Sequence, residues 1–550
     1  MENKNSFEGL KRLVEGEVKT DEDTLTKFGL DASIFEVRPS AVVFPKIARD
    51  VEASVRFVDE NKKRGATEMS ITARSAGSDM SGGPLSESLI LSCTEHLNRI
   101  KEITNDFVTL EPGVFYRDLE KKLDQRNLLF PPYPASKDYC AIGGMVSNNS
   151  GGEKTLIYGK TADYVKEIKI VLADGKEHTV KPISRDELQN TIEGGGFLGN
   201  AYRKLKDLLE KNYDTVKNAK PNVSKNSAGY ALWDIWDREI FNPQKLFVGS
   251  QGTLGIITEA TLSLVPKKKY SRLVVVFAKD LNSVPAIVKS LLPFKPQSIE
   301  SYDDRTLGLA MKFLPSLIKM MKGNIITLGL KFIPELMMIL RGGFPKMVML
   351  VELSSDDKED LKNSMNSIEE TLKQFPVEVR LIKSKKEEEK YWTIRRQSFA
   401  LLHSKVKGKY AAAFVDDIIV RPEYMPEFLP KVNAVLEKYG SKLIYTIAGH
   451  PGDGNFHIIP LIDLSDPEMP DIITNSIKEI YTLVKEYDGS ISGEHNDGLV
   501  RTPFLDMMYS EEIIKLFKQV KDIFDPDNIF NPGKKVDGDW QYSLRHLRKE

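Results

Sequence analysis

IGGMVSNNSGGEKTLIYGK, residues 142–160, carries five glycines, two asparagines and two serines in one short stretch. Glycine has no Cβ, so such a backbone can close on a bound group. Two more loops share this character: TARSAGSDMSGG (72–83) and GSQGTLG (249–255). Each adjoins a run that reads as a strand. Successive N–H groups in such loops can form an anion-binding nest, although one Gly/Ser loop alone is more often just a turn. None matches a Walker A loop or a Rossmann fingerprint. Three of them in one region point to a large phosphorylated cofactor.

The text around these loops alternates strand and helix signals. AVVFP from Ala41, VEASVRFVDENKKRG and MSITARS have a βαβ rhythm. SLILS (88–92), FVTLEPG (107–113) and VKEIKIVLADG (165–175) read as strands, the last ending in the hairpin signal Asp174-Gly175. Residues 1–35 and 186–217 read as helical. KLFVGSQGTLGIITEATLSLVP (245–266) reads as a strand, a glycine-rich turn and a second strand. The basic string after Pro266 marks a boundary. Beyond it SRLVVVFA (271–278), MVMLVELS (347–354) and FVDDIIVRP (414–422) read as strands of another sheet, and FDPDNIFNPGKK (524–535) as a compact loop.

Two segments carry the chemistry: GHPGDGNFH, Gly449–His457, and SGEHNDG, Ser492–Gly498. They hold three of the seven histidines in the chain. The strand-like runs YTIA and IIPL flank the first, so a tight turn can bring His450 and His457 to one edge. With Glu494 they make the ligand set of an open divalent-metal site, zinc or manganese, and His495 beside it is a candidate acid/base group. The plainer alternative has both histidines hydrogen-bonding the turn.

Composition sets limits. The chain has 550 residues, 41% hydrophobic and 29% charged, with a net charge of -1, so no nucleic-acid partner is expected. Two cysteines, Cys93 and Cys140, exclude a disulfide framework and a cysteine-bound iron–sulfur cluster. The polar N-terminus has no apolar core of a secretory signal, and no uncharged run is long enough to span a bilayer. A cytoplasmic protein is expected, with a peripheral contact on the inner face of the membrane if the segment discussed below binds lipid.

The ordered set RSAGS, PPYPAS, IGGMVSNNSGG, YGKTADYV, GSQGTLG, GHPGDGNFH, SGEHNDG and NPGK resembles the FAD-dependent D-2-hydroxyacid dehydrogenases over roughly residues 20–535. That group includes D-lactate dehydrogenases, the flavin subunit of glycolate oxidase and D-2-hydroxyglutarate dehydrogenase. The resemblance implies an α+β chain of the vanillyl-alcohol-oxidase type. It would have a two-part FAD-binding domain (1–268), a cap domain with an antiparallel sheet and helices (269–490), and a C-terminal segment returning to the FAD domain (491–550). By the same resemblance Arg74, Ser75, Ala76, Gly77, Ser78 and Asp79 form the pyrophosphate loop. Pro134, Ser136, Gly143, Gly144, Asn148, Gly151, Gly152 and Tyr158 line the isoalloxazine and ribityl path. Gly252, Leu254, Gly255 and Ile257 face the adenine side, and Asn531 closes the site from the tail. Gln251 stands where the family often has Glu, and Asn496-Asp497 replace a Gly and a small apolar residue. No histidine lies in the pyrophosphate loop, so the FAD is expected to be non-covalent.

The implied reaction is metal-assisted oxidation of a D-lactate-like D-2-hydroxy acid to the 2-oxo acid. His495 takes the hydroxyl proton, hydride passes to flavin N5, and electrons leave to a quinone or a carrier protein. In KYWTIRRQSF (390–399), Arg395 matches the family's substrate arginine, and Asn455 is a second candidate to face the substrate. Phe399 and Val415 stand where D-2-hydroxyglutarate dehydrogenases place polar groups, which argues for a substrate without a second carboxylate. The alternatives are a non-redox flavoenzyme resembling alkylglycerone-phosphate synthase, whose run of histidines is absent here, and a flavin subunit of a larger electron-transfer complex. Residues 311–346 have six cations and one acid, Glu335, beside an apolar helical face. This reads as an amphipathic membrane-surface segment or, alternatively, as a packed helix pair or homodimer contact.

Overall fold

The computed structural model describes residues 7–312, 337, 343–405 and 408–549. Three sheets organise them. The first joins β1 (Glu17–Lys19), β2 (Ala41–Phe44), β3 (Ile71–Arg74) and β4 (Leu89–Ser92) in the order β1-β2-β4-β3. β2, β4 and β3 are parallel, and β1 is an antiparallel edge. The helix α1 (Ala48–Lys63) supplies the βαβ crossover. Its Val51, Val55 and Val58, spaced by three and four, share one face and are fully buried. β2 and β4 are buried at every position, the mark of a parallel strand covered on both faces.

The second sheet is antiparallel: β5 (Ile100–Ile103), β6 (Phe107–Leu110), β7 (Val165–Val171), β8 (Glu177–Val180) and β9 (Ile256–Ser263), ordered β5-β6-β9-β7-β8. Asp174-Gly175 turns the β7–β8 hairpin, with Gly175 at φ 67°. The third sheet comprises β10 (Tyr270–Ala278), β11 (Ser298–Asp303), β12 (Met347–Ser355), β13 (Val377–Leu381), β14 (Ile418–Ile419), β15 (Ile447–His450) and β16 (Asn455–Ile458). All its pairings are antiparallel, in the order β13-β10-β12-β11-β15-β16-β14. Its long strands read as continuous apolar runs because both faces are covered. Leu273, Val275 and Phe277 enter one core, while Val274, Val276 and Ala278 enter another. The chain is therefore α+β, with a small parallel core, an antiparallel sheet beside it and a large antiparallel sheet in the cap.

Several local readings change. KLFV is a helical turn (Gln244–Phe247), not a strand. In FVDDIIVRP only Ile418–Ile419 pair as strand, because Asp417 has φ 65° and breaks the extended run. The polar N-terminal region has short helices at Glu8–Lys11 and Glu22–Phe28, but β1 lies between them. The amphipathic reading of 311–346 falls largely on residues outside those described. Among the described residues, no helix is long and apolar enough to cross a membrane.

Candidate active site

The loop after β3 is folded by its own carboxylate. Asp79 Oδ2 accepts from Ser81 N (3.0 Å), Ser81 Oγ (2.7 Å) and Gly83 N (2.8 Å), and Oδ1 accepts from Asn148 Nδ2 (2.7 Å). Asn148 is the last residue of α2 (Ile142–Asn148), so the first and second glycine-rich segments are tied directly together. Gln251 joins the third, donating from Nε2 to Ser81 Oγ (3.2 Å) and Asn148 Oδ1 (3.4 Å). Gly77 needs its missing Cβ: at φ 71°, an added Cβ would lie 2.2 Å from Arg74 Nη2. Arg74 donates to the carbonyls of Phe28 (3.1 Å) and Leu30 (2.7 Å), which fixes a cation under the loop.

One cavity runs from these loops to the histidines. Arg74 to Asp79, Pro134, Ser136, Gly143, Gly144, Asn148, Gly151, Gly152 and Ile257 line it, as do Arg395, His450, His457, Glu494 and His495. Other expected residues stand behind the wall. Leu254 is fully buried, Gly252 and Gly255 hold positive φ, and Tyr158 Oη accepts from Gln297 Nε2 (3.3 Å). Asn531 ties the tail to the glycine loops, donating to the carbonyls of Gly83 (3.0 Å) and Gln251 (2.7 Å).

At the far end of the cavity three donor atoms converge. His450 Nε2 and His457 Nε2 are 3.1 Å apart, and each lies 3.3 Å from Glu494 Oε1. The hairpin β15–β16 presents the two imidazoles, with His457 opposite Ala448 and His450 opposite Asn455. Atoms about 2.1 Å from a common ion, at right or tetrahedral angles, stand roughly 3.0–3.4 Å apart. The three donors have this spacing. Behind them, His450 Nδ1 contacts Glu300 Oε1, and His457 Nδ1 lies 3.3 Å from Asp416 Oδ1 without a hydrogen bond. Carboxylates behind ligating histidines fix the ring tautomer and orientation. The residues thus fit a divalent metal.

Asp417, His457, Glu494 and His495 form a second, overlapping group of donors within 4.8 Å of one another. Asp417 is already committed, however. Its Oδ2 accepts from Ser492 Oγ (2.9 Å), Glu494 N (2.8 Å) and His495 N (2.7 Å), and Oδ1 accepts from Asn455 Nδ2 (3.1 Å). Asp417 therefore shapes the loop that carries Glu494, and His450 completes the better triad. Asn455 is fully buried against Asp417 and Ile418 O and is not among the residues lining the cavity. Arg501, also fully buried, donates to the carbonyls of Ile491 (3.1 Å), Asn496 (2.9 Å) and Asp416 (2.7 Å), clamping the same loop from below.

Charge here is balanced by burial. Lys225, with no exposed surface, lies 3.3 Å from Asp453 Oδ2 and 3.4 Å from Glu494 Oε2, leaving Oε1 to face the histidines. Burial alone would raise the Glu494 carboxyl, but Lys225 and His450 outweigh it and hold it well below its usual range. Burial would lower His457, yet Asp416 and Glu494 bring it up to about 10. His495 Nδ1 lies 2.7 Å from Asp416 Oδ2, and its pKa is raised because Asp417 and Asp416 outweigh burial. Arg395 points Nε (3.2 Å) and Nη2 (3.1 Å) at Glu300 Oε2, while Arg396 pairs with Glu153 (2.7 Å). Sequence reasoning missed Glu300, Asp416, Asp417 and Lys225. The two adjacent acids inside the apolar run FVDDIIV were a visible signal; Glu300 and Lys225 had none.

Glycine-rich loops from a small α/β domain, roofed by a large antiparallel cap sheet, define a flavoprotein of the vanillyl-alcohol-oxidase type. In fold, the chain is similar to 4-ethylphenol oxidase from Gulosibacter chungangensis (TM-score 0.68, 15% identity, covering 97% of this chain and 96% of that one). The chain belongs to the FAD-linked oxidases: residues 39–181 match their FAD binding domain and residues 267–535 match the FAD linked oxidases, C-terminal domain. It is 28% identical over 527 residues to a D-2-hydroxyglutarate dehydrogenase of Pseudomonas putida, covering 94% of this chain and 50% of that protein. It is 27% identical over 503 residues to a D-lactate dehydrogenase of Archaeoglobus fulgidus, covering 90% of this chain and 91% of that one. The chain thus spans about half the length of the first of these relatives.

Proposed function

We propose that this chain oxidises a D-2-hydroxy acid to the 2-oxo acid. The observation that carries the reading is the single cavity joining the glycine-rich loops to the His450–His457–Glu494 cluster and His495. Similarity to D-2-hydroxyglutarate and D-lactate dehydrogenases supports the substrate class. FAD, when bound along the glycine-rich loops, would supply the two-electron acceptor. His450, His457 and Glu494 would hold a zinc or manganese ion, which would supply Lewis acidity at the substrate hydroxyl. The protein does the rest. His495, with Nδ1 toward Asp416, offers Nε2 to the hydroxyl proton, and Asp416 stabilises the imidazolium that forms. Arg395 holds the substrate carboxylate, kept in place by Glu300. Asn455 serves the site through Asp417. Electrons then pass to a quinone or carrier protein.

The domain division at 268 and 490 belongs to this reading. It is supported by the tail contacts Asn531–Gly83 and Lys521 Nζ–Thr253 O (2.7 Å), which return the C-terminal segment to the glycine loops. Dye reduction by the FAD- and metal-loaded protein across D- and L-2-hydroxy acids tests the function. Turnover confined to D-acids is expected, lost on chelation and restored by Zn²⁺ or Mn²⁺. His495→Ala should lose roughly 10²–10⁴ in turnover at unchanged metal content. Full activity in metal-free protein, or in His495→Ala, would overturn the assignment.

A further inference from the structure

We propose that Glu300 is a positioning residue that locks the metal-binding and carboxylate-binding halves of the site together, one oxygen to each. Oε1 contacts His450 Nδ1, and Oε2 takes Nε (3.2 Å) and Nη2 (3.1 Å) of Arg395. The side chain is only 3% exposed, so bulk water has little access to either oxygen. β11 supplies it by register: Ser301 pairs with Gly449, which sets Glu300 beside His450 on the neighbouring strand. Arg395 arrives from the helix Lys385–Lys405 on the other side. This inference rests on the function proposed above for the same site.

Only a carboxylate can do this. Both partners are donors: Arg395 always, and His450 at Nδ1 whenever Nε2 is the ligating atom. A glutamine accepts through one end only. With its oxygen toward Arg395, its NH₂ faces His450 Nδ1. That nitrogen must then accept, and the ring proton moves to Nε2, which cannot also bind metal. With the amide reversed, NH₂ meets the guanidinium. Either way one half of the site is lost.

The test uses the FAD-bound full chain, with Zn²⁺ alone titrated calorimetrically and KM and kcat measured on the D-2-hydroxy acid that the wild type turns over fastest. Glu300→Gln should keep its flavin and weaken zinc binding 10- to 100-fold, the range for losing a carboxylate behind a ligating histidine. Glu300→Asp keeps both acceptors on a shorter arm and should recover at least half of that loss on a logarithmic scale. Arg395→Met does not touch the histidines, yet it should weaken zinc at least threefold by freeing Glu300, besides raising KM. Should Glu300→Gln fail to fold, the aspartate and methionine variants decide the matter. Zinc binding within twofold of wild type in all variants would overturn the bridge and leave the proposed function standing. A wild type that binds neither Zn²⁺ nor Mn²⁺ would overturn both.

Discussion

Lys535 Nζ donates to Asp497 Oδ2 at 2.9 Å, and neither side chain reaches solvent. The pair gives the polar Asn496-Asp497 sequence a structural role. Lys535 also donates to Asn496 Oδ1 (2.6 Å) and Ser227 O (3.0 Å), and Asp497 accepts from Gly229 N (2.8 Å). The C-terminal tail is thus bolted beneath the Glu494-His495 loop by charge. Removing one member strands the other in a low-dielectric interior, at a cost of about 3–5 kcal/mol. Asp497→Leu and Lys535→Met should each show that loss in urea denaturation. The double variant should be at least about 1 kcal/mol more stable than the sum of the singles. Strict additivity would mean that the two charges are compensated elsewhere.

Asp417 governs the loop above that bolt. Alanine there would leave the N–H groups of Glu494 and His495 buried without acceptors, at about 1–3 kcal/mol each. It would also place a non-glycine, non-asparagine residue at φ 65°. Asparagine tolerates that backbone and keeps one oxygen for the two N–H groups. Its amide can meet a flipped Asn455, whose Oδ1 has no partner now. Expected, therefore, is loss of stability and metal in Asp417→Ala and retention of most metal in Asp417→Asn, read by elemental analysis and urea melts. Equal metal content in both variants would sink the idea that this carboxylate places Glu494.

How legible the site was follows from chain distance. His450 and His457 lie on two adjacent strands joined by a short turn, so GHPGDGNFH shows both proposed ligands as text. Glu494 and His495 are sequence neighbours. Glu300 meets His450 only because β11 pairs with β15, a register that no local pattern encodes. Lys225 comes from a loop that is unremarkable until it is buried against Glu494. Asp416 and Asp417 were visible but hidden by strand propensity, since the αL kink at Asp417, just before the strand, has no strong signal outside glycine and asparagine. The sheets themselves were easier, because strands such as β10 and β12, covered on both faces, announce themselves as unbroken apolar runs.

Asp31 should make stability depend on pH in an unusual direction. Burial and the neighbouring Asp79 push its carboxyl up to about 7, and its Oδ2 has no partner. Between the unfolded value near 4 and the folded value of about 7, the folded chain binds more protons than the unfolded one. The contribution of Asp31 to stability is therefore complete below about pH 4 and lost as the pH rises through 7. Asp31→Asn copies the protonated form at every pH. It should be near neutral in effect at pH 4 and more stable than wild type at pH 8, by an amount on the order of 2–4 kcal/mol. Chemical denaturation of both proteins at the two pH values is the check. A variant that is less stable at pH 8 would show that Asp31 is ionised and well satisfied.

Gly151 is the point where the glycine-rich stretch meets Glu494, one of the three proposed metal ligands. A Cβ there would lie 2.8 Å from Glu494 Oε2 and 2.8 Å from Thr155 Oγ1. Its φ lies outside the left-handed region, so alanine brings no backbone strain, only contact. Thr155 Oγ1 cannot retreat freely because it accepts from Gly152 N (2.8 Å). Glu494 must yield instead, and its other oxygen is the one facing His450 and His457. Gly151→Ala should therefore lower zinc or manganese affinity about tenfold, the lower range for disturbing a metal's supporting shell. Turnover should fall with it, at full flavin content. Gly308→Ala, where an added Cβ meets nothing within 4 Å, serves as the control for a generic glycine effect. Metal titration and flavin absorbance on the same preparations separate the outcomes. Wild-type metal affinity in Gly151→Ala would mean that Glu494 has room to move without losing the ion. Flavin loss would mean that the glycine serves the cofactor rather than the ligand.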